Sequence, residues 1–320
     1  MSLTSELKNP ESPIRKWFDI KRSQTIDKII NHHNQVLSQS QIIIPQQGTN
    51  FPVVGNAVCY AIRKYIAQKI DDTNWHYTSL AWYGARHLQL TPLFDYCINN
   101  NKKEDEAISL VILAALEQVT RNSKQINPIL QPFLGKNKIV NLLIEDEIKN
   151  NWIPTFKDIN NIIQEIPTIY RLIFNDELLK ISSLNKNNDR SNKVICNATF
   201  TLSEYLGGAD AQIITNGTIL NIKTSAKSRP FTYENLLQQL SYCLLDSNNK
   251  YNIHTLTWVY TRHSAVFRYP VNKLFSDINQ TRKDFEEIIL FSYGNFDGYD
   301  LEEIYYQIKS NNLKSLYPEL

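Results

Sequence analysis

Apolar residues in the first half of the chain recur at intervals of three and four, which places them on one face of an α-helix. The pattern predicts helices at residues 53–70, 104–121 and, in two segments, 151–180. Ser12 followed by Pro13 marks the start of an earlier helix, since a capping residue before proline favours the first helical turn. The two segments of the last region separate near Pro167, because proline interrupts helical hydrogen bonding. We therefore expect a helical region from Ser12 to about Leu184.

The pattern changes after a polar, basic segment at residues 185–193, which we interpret as a loop at a boundary. Beyond it, β-type runs predict strands at 211–215, 218–223, 255–260 and 265–269. Asn216-Gly217, between the first two strands, is a strong signal for a hairpin turn. Helical patterns lie at 231–245 and about 281–291. This order predicts a mixed sheet with a packed helix, which is an α/β core under a helical N-terminal region.

The length of the chain sets the expected organisation. At 320 residues it has room for one large domain or two ordinary ones. We expect a mainly helical N-terminal region at residues 1–190 that contributes to or caps the core. Residues 191–320 are expected to form the α/β core and a C-terminal helix.

Composition narrows the class of protein without identifying a partner. Hydrophobic residues make up 42% of the chain and charged residues 21%, which is typical of a globular protein. No apolar run has the length of a membrane span and the first twelve residues lack a signal-peptide core, so we expect a cytoplasmic protein with no membrane partner. The four cysteines form no C-x-x-C pair, which disfavours a disulfide framework or a zinc site. A formal charge of +2 gives no strong nucleic-acid footprint, so any such chemistry has to rest on a site.

Three residues of the predicted hairpin are candidates for one site. Asp210 begins the first strand next to a glycine pair, which lets the backbone approach a ligand closely. Asn221 and Lys223 are two residues apart on the returning strand, so their side chains point to the same face. Closure of the hairpin would bring both of them near Asp210.

This set of residue types can support metal-assisted hydrolysis of a phosphodiester. A carboxylate and an amide oxygen are hard ligands suited to Mg²⁺ or Mn²⁺, and the backbone carbonyl of Ile222 could add another. The metal would polarise the phosphate and lower the pKa of a bound water. Lys223 would then orient or deprotonate that water and offset charge in the transition state.

The same stretch resembles a known nuclease family. The chain has G-G-x-D at residues 207–210, N-x-K at 221–223 and Q-x-x-x-Y at 238–242. This order is similar to the order G-x-x-D, (D/E)-x-K and Q-x-x-x-Y in the PD-(D/E)XK superfamily. Residues 198–269 resemble its core, closest to the RecB/Cas4-like branch. The resemblance implies a restriction-endonuclease-like fold and a Mg²⁺- or Mn²⁺-dependent nuclease acting on DNA rather than RNA, in phage defence or DNA repair. It also implies Asp210 as a metal ligand, Lys223 as the catalytic lysine, and Gln238 and Tyr242 on the core helix, lining the site.

The chain departs from the family pattern at several positions. The second acidic position holds Asn221, whose amide oxygen brings no negative charge to a metal. Residues 55–63 resemble the branch motif G-x-x-x-H-x-x-x-E more weakly, beginning at Gly55. The histidine position of that motif holds Cys59 and its glutamate position holds Arg63. We interpret these as a core thiol and as a surface or phosphate-binding charge. Glu117 could supply a further carboxylate, although an i,i+4 ion pair with Arg121 is favoured.

Two alternatives follow from these departures. The fold could be kept while the chemistry has decayed, leaving a nucleic-acid-binding or scaffolding subunit. The motif could also be coincidental, in a helical binding protein with a β appendage. Outside the motif, His32-His33 is expected to be solvated rather than a metal pair. Arg262-His263 is expected in a turn, either as a simple polar turn or pointing at DNA from the rim of the site.

Overall fold

The computed structural model describes residues 2–47, 50–100, 102–122, 126–135, 146–174 and 194–294. The first part of the chain is helical. Its α-helices are α1 (Leu3–Lys8), α2 (Pro13–Ile20), α3 (Gln24–Gln39), α4 (Phe51–Lys69), α5 (Leu80–His87), α6 (Thr91–Asn99), α7 (Lys103–Arg121) and α8 (Asp146–Ile173). Short 3₁₀ turns occur at Trp75–Thr78 and Pro128–Phe133.

The predicted helices at 53–70 and 104–121 are confirmed as α4 and α7, and α2 begins at Pro13 after Ser12 as predicted. The predicted break near Pro167 is wrong. Helix α8 runs continuously and contains both Pro154 and Pro167. Its apolar residues line one core throughout, so tertiary packing maintains the helix through both prolines. The predicted loop at 185–193 and the last residues of the predicted segment 151–180 lie outside the described residues.

Five strands form one mixed sheet in the order β1-β2-β3-β4-β5. The strands are β1 (Ile195–Thr199), β2 (Asp210–Thr215), β3 (Thr218–Lys223), β4 (Thr255–Tyr260) and β5 (Ala265–Pro270). Strand β3 runs parallel to β4, with Ile219 beside Leu256, and the other neighbours are antiparallel. Helix α9 (Tyr233–Leu245) makes the crossover from β3 to β4. Two helices follow β5, α10 (Val271–Leu274) and α11 (Ile278–Tyr293).

The sequence pattern located most of this sheet. Strands β3 and β4 have the predicted bounds, while β2 and β5 extend one residue beyond them. Strand β1 was not predicted. It carries a positive φ of 50° at Asn197, which interrupts the regular alternation that identifies a strand.

The β2–β3 hairpin turns at Asn216 and Gly217, as predicted. Both residues have positive φ, 45° and 66°, the combination that a two-residue hairpin of type I′ requires. A Cβ atom at Gly217 would lie 2.5 Å from the backbone oxygen of Asn252, so this position needs glycine for space as well as for its φ angle.

Two hydrophobic cores cover the two faces of the sheet. The first contains α4, α7 and α8 together with Leu220 and Ile222 of β3. The second contains α9, α11 and the early helices α1–α3, together with Ile219 of β3 and Trp258 of β4. The chain is therefore a mixed α/β protein whose N-terminal helices cover both faces of a C-terminal sheet. None of the described helices has the length and hydrophobicity that a membrane crossing needs.

Candidate active site

The candidate site lies where β2 and β3 diverge. The last regular pair on this side of the hairpin is Ile213 with Leu220. Beyond it, the side-chain Oε1 of Gln212 accepts a hydrogen bond from the backbone N–H of Ile222 at 2.7 Å. A side chain thus takes the place of the next backbone partner, and the strands separate toward Asp210 and the end of β3.

Asn221 and Lys223 share one face of the sheet. They alternate with residues of the first core, so they lie on the opposite face, as Ile219 does. The alternation of β2 breaks near Gln212, because Ile213 belongs to the first core and Ala211 to the second. The expectation that Asn221 and Lys223 lie close to Asp210 therefore stays a prediction, and Asp210 and Lys223 form no ion pair within the described part of the chain.

Asp210 is held by an arginine that the sequence analysis did not connect to it. Arg121, at the C-terminus of α7, donates to both carboxylate oxygens at 3.1 and 2.9 Å. The side-chain amide of Asn197 donates to Oδ2 at 2.9 Å. The positive φ of Asn197 belongs to this arrangement, because its other amide atom, Oδ1, accepts from the backbone of Leu80. The carboxylate of Asp210 therefore accepts hydrogen bonds from one charged side chain and one neutral side chain.

The ion pairing continues into the first core. Arg121 also donates from Nε to Glu117 at 2.9 Å, which confirms the expected i,i+4 pair. Glu117 lies 3.7 Å from Arg63, and Arg63 donates to the backbone oxygen of Gln212 at 2.8 Å. The side chains of Arg63 and Glu117 are almost fully buried. Four side chains therefore form one ion-pair network, which consists of Arg63, Glu117, Arg121 and Asp210. The formal charges of this network sum to zero.

The ion-pair network corrects the expectation that Arg63 is a surface or phosphate-binding charge. Its side chain is only 1% exposed and faces Glu117, so it is neither a surface charge nor available to a phosphate. Cys59, one turn earlier on α4, is a buried thiol as expected, and burial raises its pKa to about 11. The negative charges of Glu117 and Asp210 also raise the pKa of this thiol. The face of α4 that carries Gly55, Cys59 and Arg63 is therefore directed toward these two carboxylates.

Lys223 differs from Asp210 in having no ionic partner. Its side chain is partly buried, and no described residue makes an ion pair or hydrogen bond with its amine. Loss of water around the amine lowers the pKa of Lys223 to about 8 because burial disfavours the charged form. A lysine of this kind carries a positive charge at neutral pH and gives up its proton more readily than a solvated lysine.

Asn221 presents a second polar atom without a partner. The side chain is only 3% exposed, and no described residue hydrogen-bonds to its Oδ1. A buried amide oxygen without a donor costs about 1–3 kcal/mol, and native proteins usually avoid this cost. The Oδ1 of Asn221 is therefore buried without a donor from the described residues, on the sheet face that it shares with Lys223.

Gln238 and Tyr242 lie on α9 and contact each other. The amide of Gln238 donates to the Tyr242 hydroxyl at 3.0 Å and to Thr4 of α1 at 3.3 Å. Tyr242 is 6% exposed, and burial, reinforced by the charge of Asp210, raises its pKa. Tyr242 therefore lies within electrostatic range of Asp210, and Gln238 connects it to α1 near the N-terminus of the chain.

The oxygen donors at this site meet part of what a divalent cation needs. Asp210 and Asn221 supply the hard oxygens that Mg²⁺ or Mn²⁺ prefers, and the Asn221 oxygen has no hydrogen-bond donor among the described residues. Both oxygens of Asp210, in contrast, accept from Arg121. Within the described ranges, no group of three or more His, Cys, Asp or Glu side chains is placed to hold a metal. The donor types fit a cation, and Arg121 occupies the charged one.

Two other expectations are corrected. His33 is not solvated: it is fully buried, stacks between Phe231 and Phe267, and hydrogen-bonds to Tyr269. Arg262 is neither an exposed turn residue nor directed at the rim. It is 1% exposed and pairs with Asp158 of α8 through two contacts of 2.7 Å. In both cases the partners are distant in sequence, so the local pattern contained no sign of burial.

Comparisons of the chain with protein-family models, with curated proteins and with solved structures found no match.

Proposed function

We propose that the chain is a metal-dependent nuclease that hydrolyses nucleic-acid phosphodiester bonds, with DNA as the favoured substrate. The observation that carries the proposal is the partly buried amine of Lys223, which has no ionic or hydrogen-bonding partner among the described residues. It lies on the sheet face of Asn221, whose Oδ1 also lacks a partner among those residues. Burying a protonated lysine without an ionic partner lowers the free energy of unfolding. Strongly perturbed titratable groups of this kind concentrate at functional sites. The motif order at residues 207–242 supports the same function.

The connectivity of the sheet supports a restriction-endonuclease-like core. A hairpin carries Asp210 and the N-x-K element, helix α9 carries Gln238 and Tyr242, and β4 then returns parallel to β3. The side chains of Asp210 on β2 and Lys223 on β3 are both partly exposed. The three sequence elements thus follow one another through the β2–β3 hairpin and the helix after it.

The proposed roles follow from the side chains present. Asp210 and Asn221 would hold Mg²⁺ or Mn²⁺, with the Ile222 carbonyl as a third oxygen. When bound, the cation would supply charge stabilisation for a phosphate and a more acidic water. Lys223 would orient the attacking water and offset the negative charge that develops on the phosphate. Gln238 and Tyr242 would contact the nucleic-acid backbone beside Asp210.

The proposal is tested by cleavage with a matched lysine control. Double-stranded DNA, single-stranded DNA and RNA are each incubated with the protein and Mg²⁺ or Mn²⁺. We expect DNA cleavage by the wild type and a loss of about 100-fold or more in Lys223→Ala, since positioned proton-transfer groups contribute about that much. Lys273→Ala, which removes an exposed lysine on α10, is expected to retain the wild-type rate. Equal cleavage by wild type and Lys223→Ala, or none with any substrate and metal, would refute the proposal.

A second candidate function is nucleic-acid binding or scaffolding without hydrolysis. It is favoured by the pairing of Asp210 with Arg121 and by the neutral side chain of Asn221, so that neither position offers an unpaired carboxylate to a cation. This candidate predicts that the wild type binds DNA but does not cleave it.

Asn221→Asp separates the two candidates. In an active nuclease, the added negative charge should lower the Mg²⁺ concentration needed for half-maximal cleavage, because cation affinity rises with ligand charge. In a decayed nuclease, the same variant should gain cleavage where the wild type has none. Measured cleavage across a Mg²⁺ titration reports both results. An unchanged Mg²⁺ dependence in an active protein would show that Asn221 is not a ligand.

A further inference from the structure

Arg121 has the features of a side chain that exchanges between two partners. Its side chain is 43% exposed, whereas those of Asp210 and Glu117 are 10% and 4% exposed. It is the last residue of α7, so few helix neighbours restrict its guanidinium. The planar guanidinium fork matches a carboxylate and a phosphate equally well in a bidentate contact. One accessible arginine can therefore serve either anion.

The positive charge of Arg121 occupies the position that a cation at Asp210 would need. Its two hydrogen bonds use both carboxylate oxygens, and Asn197 uses Oδ2 again. A divalent ion and a guanidinium cannot both bind this carboxylate at full strength, because both need the same lone pairs and repel each other. Cation binding at Asp210 thus requires Arg121 to leave.

Departure of Arg121 changes the charge of the site by one unit. In the ion-pair network, the guanidinium of Arg63 stays 3.7 Å from the carboxylate of Glu117, and that buried pair is neutral by itself. Asp210 then carries its full negative charge, with the side-chain amide of Asn197 still donating to Oδ2. A phosphate is the anion that could draw Arg121 away, since it brings stronger charge and a matching geometry.

We propose that Arg121 is a tethered internal cation that closes the Asp210 site in the free protein and moves to a nucleic-acid phosphate when substrate binds, which opens Asp210 to a divalent ion. This inference rests on the proposed nuclease function and adds its regulation. The metal and the nucleic acid then bind cooperatively, because each favours the same displaced position of Arg121.

Divalent-cation binding in the absence of nucleic acid tests the closure. Mn²⁺ binding is measured by electron paramagnetic resonance for the wild type, Arg121→Gln, Asp210→Asn and the double variant. Arg121→Gln is expected to bind Mn²⁺ about tenfold more tightly or better, since apparent affinity is reduced by the fraction of closed protein. Asp210→Asn and the double variant should show no such gain. Arg86→Gln, which removes an exposed arginine on α5, should match the wild type.

The exchange of Arg121 to phosphate is tested separately. Binding of a fluorescent single-stranded oligonucleotide is measured in EDTA, so that no cation contributes. Asp210→Asn releases Arg121 and is expected to bind the oligonucleotide several times more tightly than the wild type. The double variant with Arg121→Gln should lose that gain, because the arginine that contacts the phosphate is gone.

The outcomes separate the regulation from the function. Unchanged Mn²⁺ affinity in Arg121→Gln, or a gain that persists in the double variant, would overturn the closure while leaving any observed cleavage intact. A gain that depends on Asp210, in a protein that cleaves nothing, would support the closure and remove the nuclease function. If Arg121→Gln does not fold, Arg121→Met gives the same test, because methionine removes the charge and the bidentate fork while keeping an unbranched side chain.

Discussion

At the scale of single residues, Lys223 and Asp210 illustrate two ways in which the sheet accommodates a partly buried charge. Asp210 is neutralised by Arg121 and held by Asn197. Lys223 has no ionic partner in the described structure, and the surroundings of its amine lower its pKa to about 8. The unfolded chain would leave this amine in water, so folding is opposed whenever the lysine is protonated.

Replacing Lys223 by methionine should therefore stabilise the protein at neutral pH. A neutral side chain of similar length removes the buried charge, and we expect the free energy of unfolding at pH 7 to rise by about 1–3 kcal/mol. The folded-state pKa lies below the unfolded value, so wild-type stability increases as pH rises through about 8 toward 10.5. The advantage of Lys223→Met should thus be complete below pH 8 and shrink above it.

Urea unfolding at pH 7 and pH 9.5 measures this difference. Lys273→Met serves as the exposed control and should change stability little at either pH. An advantage of Lys223→Met that is equal at both pH values would show that packing, not charge, causes it. Loss of stability at pH 7 would show that the amine has a favourable role in the folded protein.

At the scale of elements, the β2–β3 hairpin determines the register of the candidate site. Its turn fixes Ile214 opposite Ile219, which sets the face of β3 on which Asn221 and Lys223 lie. A slip by one residue would move Asn221 and Lys223 to the face of the first core. The geometry of the turn at Gly217 is therefore coupled to the chemistry at the other end of the hairpin.

Gly217→Ala should destabilise the protein more than Gly135→Ala. Both glycines have similar positive φ values, 66° and 70°, so both substitutions incur the same backbone cost of about 1 kcal/mol. Only at Gly217 would the new Cβ also lie 2.5 Å from a backbone oxygen, whereas at Gly135 it would have no atom within 4 Å. We expect a total loss of about 2 kcal/mol or more at Gly217, measured by chemical denaturation. Equal losses would show that the Asn252 segment moves aside freely.

Local patterns predicted the elements better than the site. Strands β3 and β4 were located because their apolar runs are bounded by turn residues, and the hairpin because Asn216-Gly217 has a strong local preference. The expected pair of Glu117 and Arg121 is four residues apart, so helical geometry made it predictable. The pairing of Arg121 with Asp210 spans 89 residues, and no local rule contains it.

At the scale of the whole molecule, Arg262 connects several parts of the chain. Its guanidinium pairs with Asp158 of α8 and donates from Nε to the backbone of Thr224, directly after β3, at 2.6 Å. It also contacts the backbone oxygen of Ile44, in the segment before α4. A buried guanidinium is stable only with such a complete set of acceptors. The end of β3, and with it Lys223, is thus fixed by residues from both halves of the chain.

This buried ion pair also sets an order on protein synthesis. Asp158 and Arg262 are separated by 104 residues, which a ribosome takes roughly 5 to 20 s to add at about 5–20 residues per second. During that interval the carboxylate of Asp158 is without the Arg262 guanidinium and is best left in water. Helix α8 can therefore reach this paired arrangement on the sheet only after Arg262 has been synthesised. Until then the residues of α8 that pack on β4 and β5 lack those partners, and in this interval they are accessible to a chaperone.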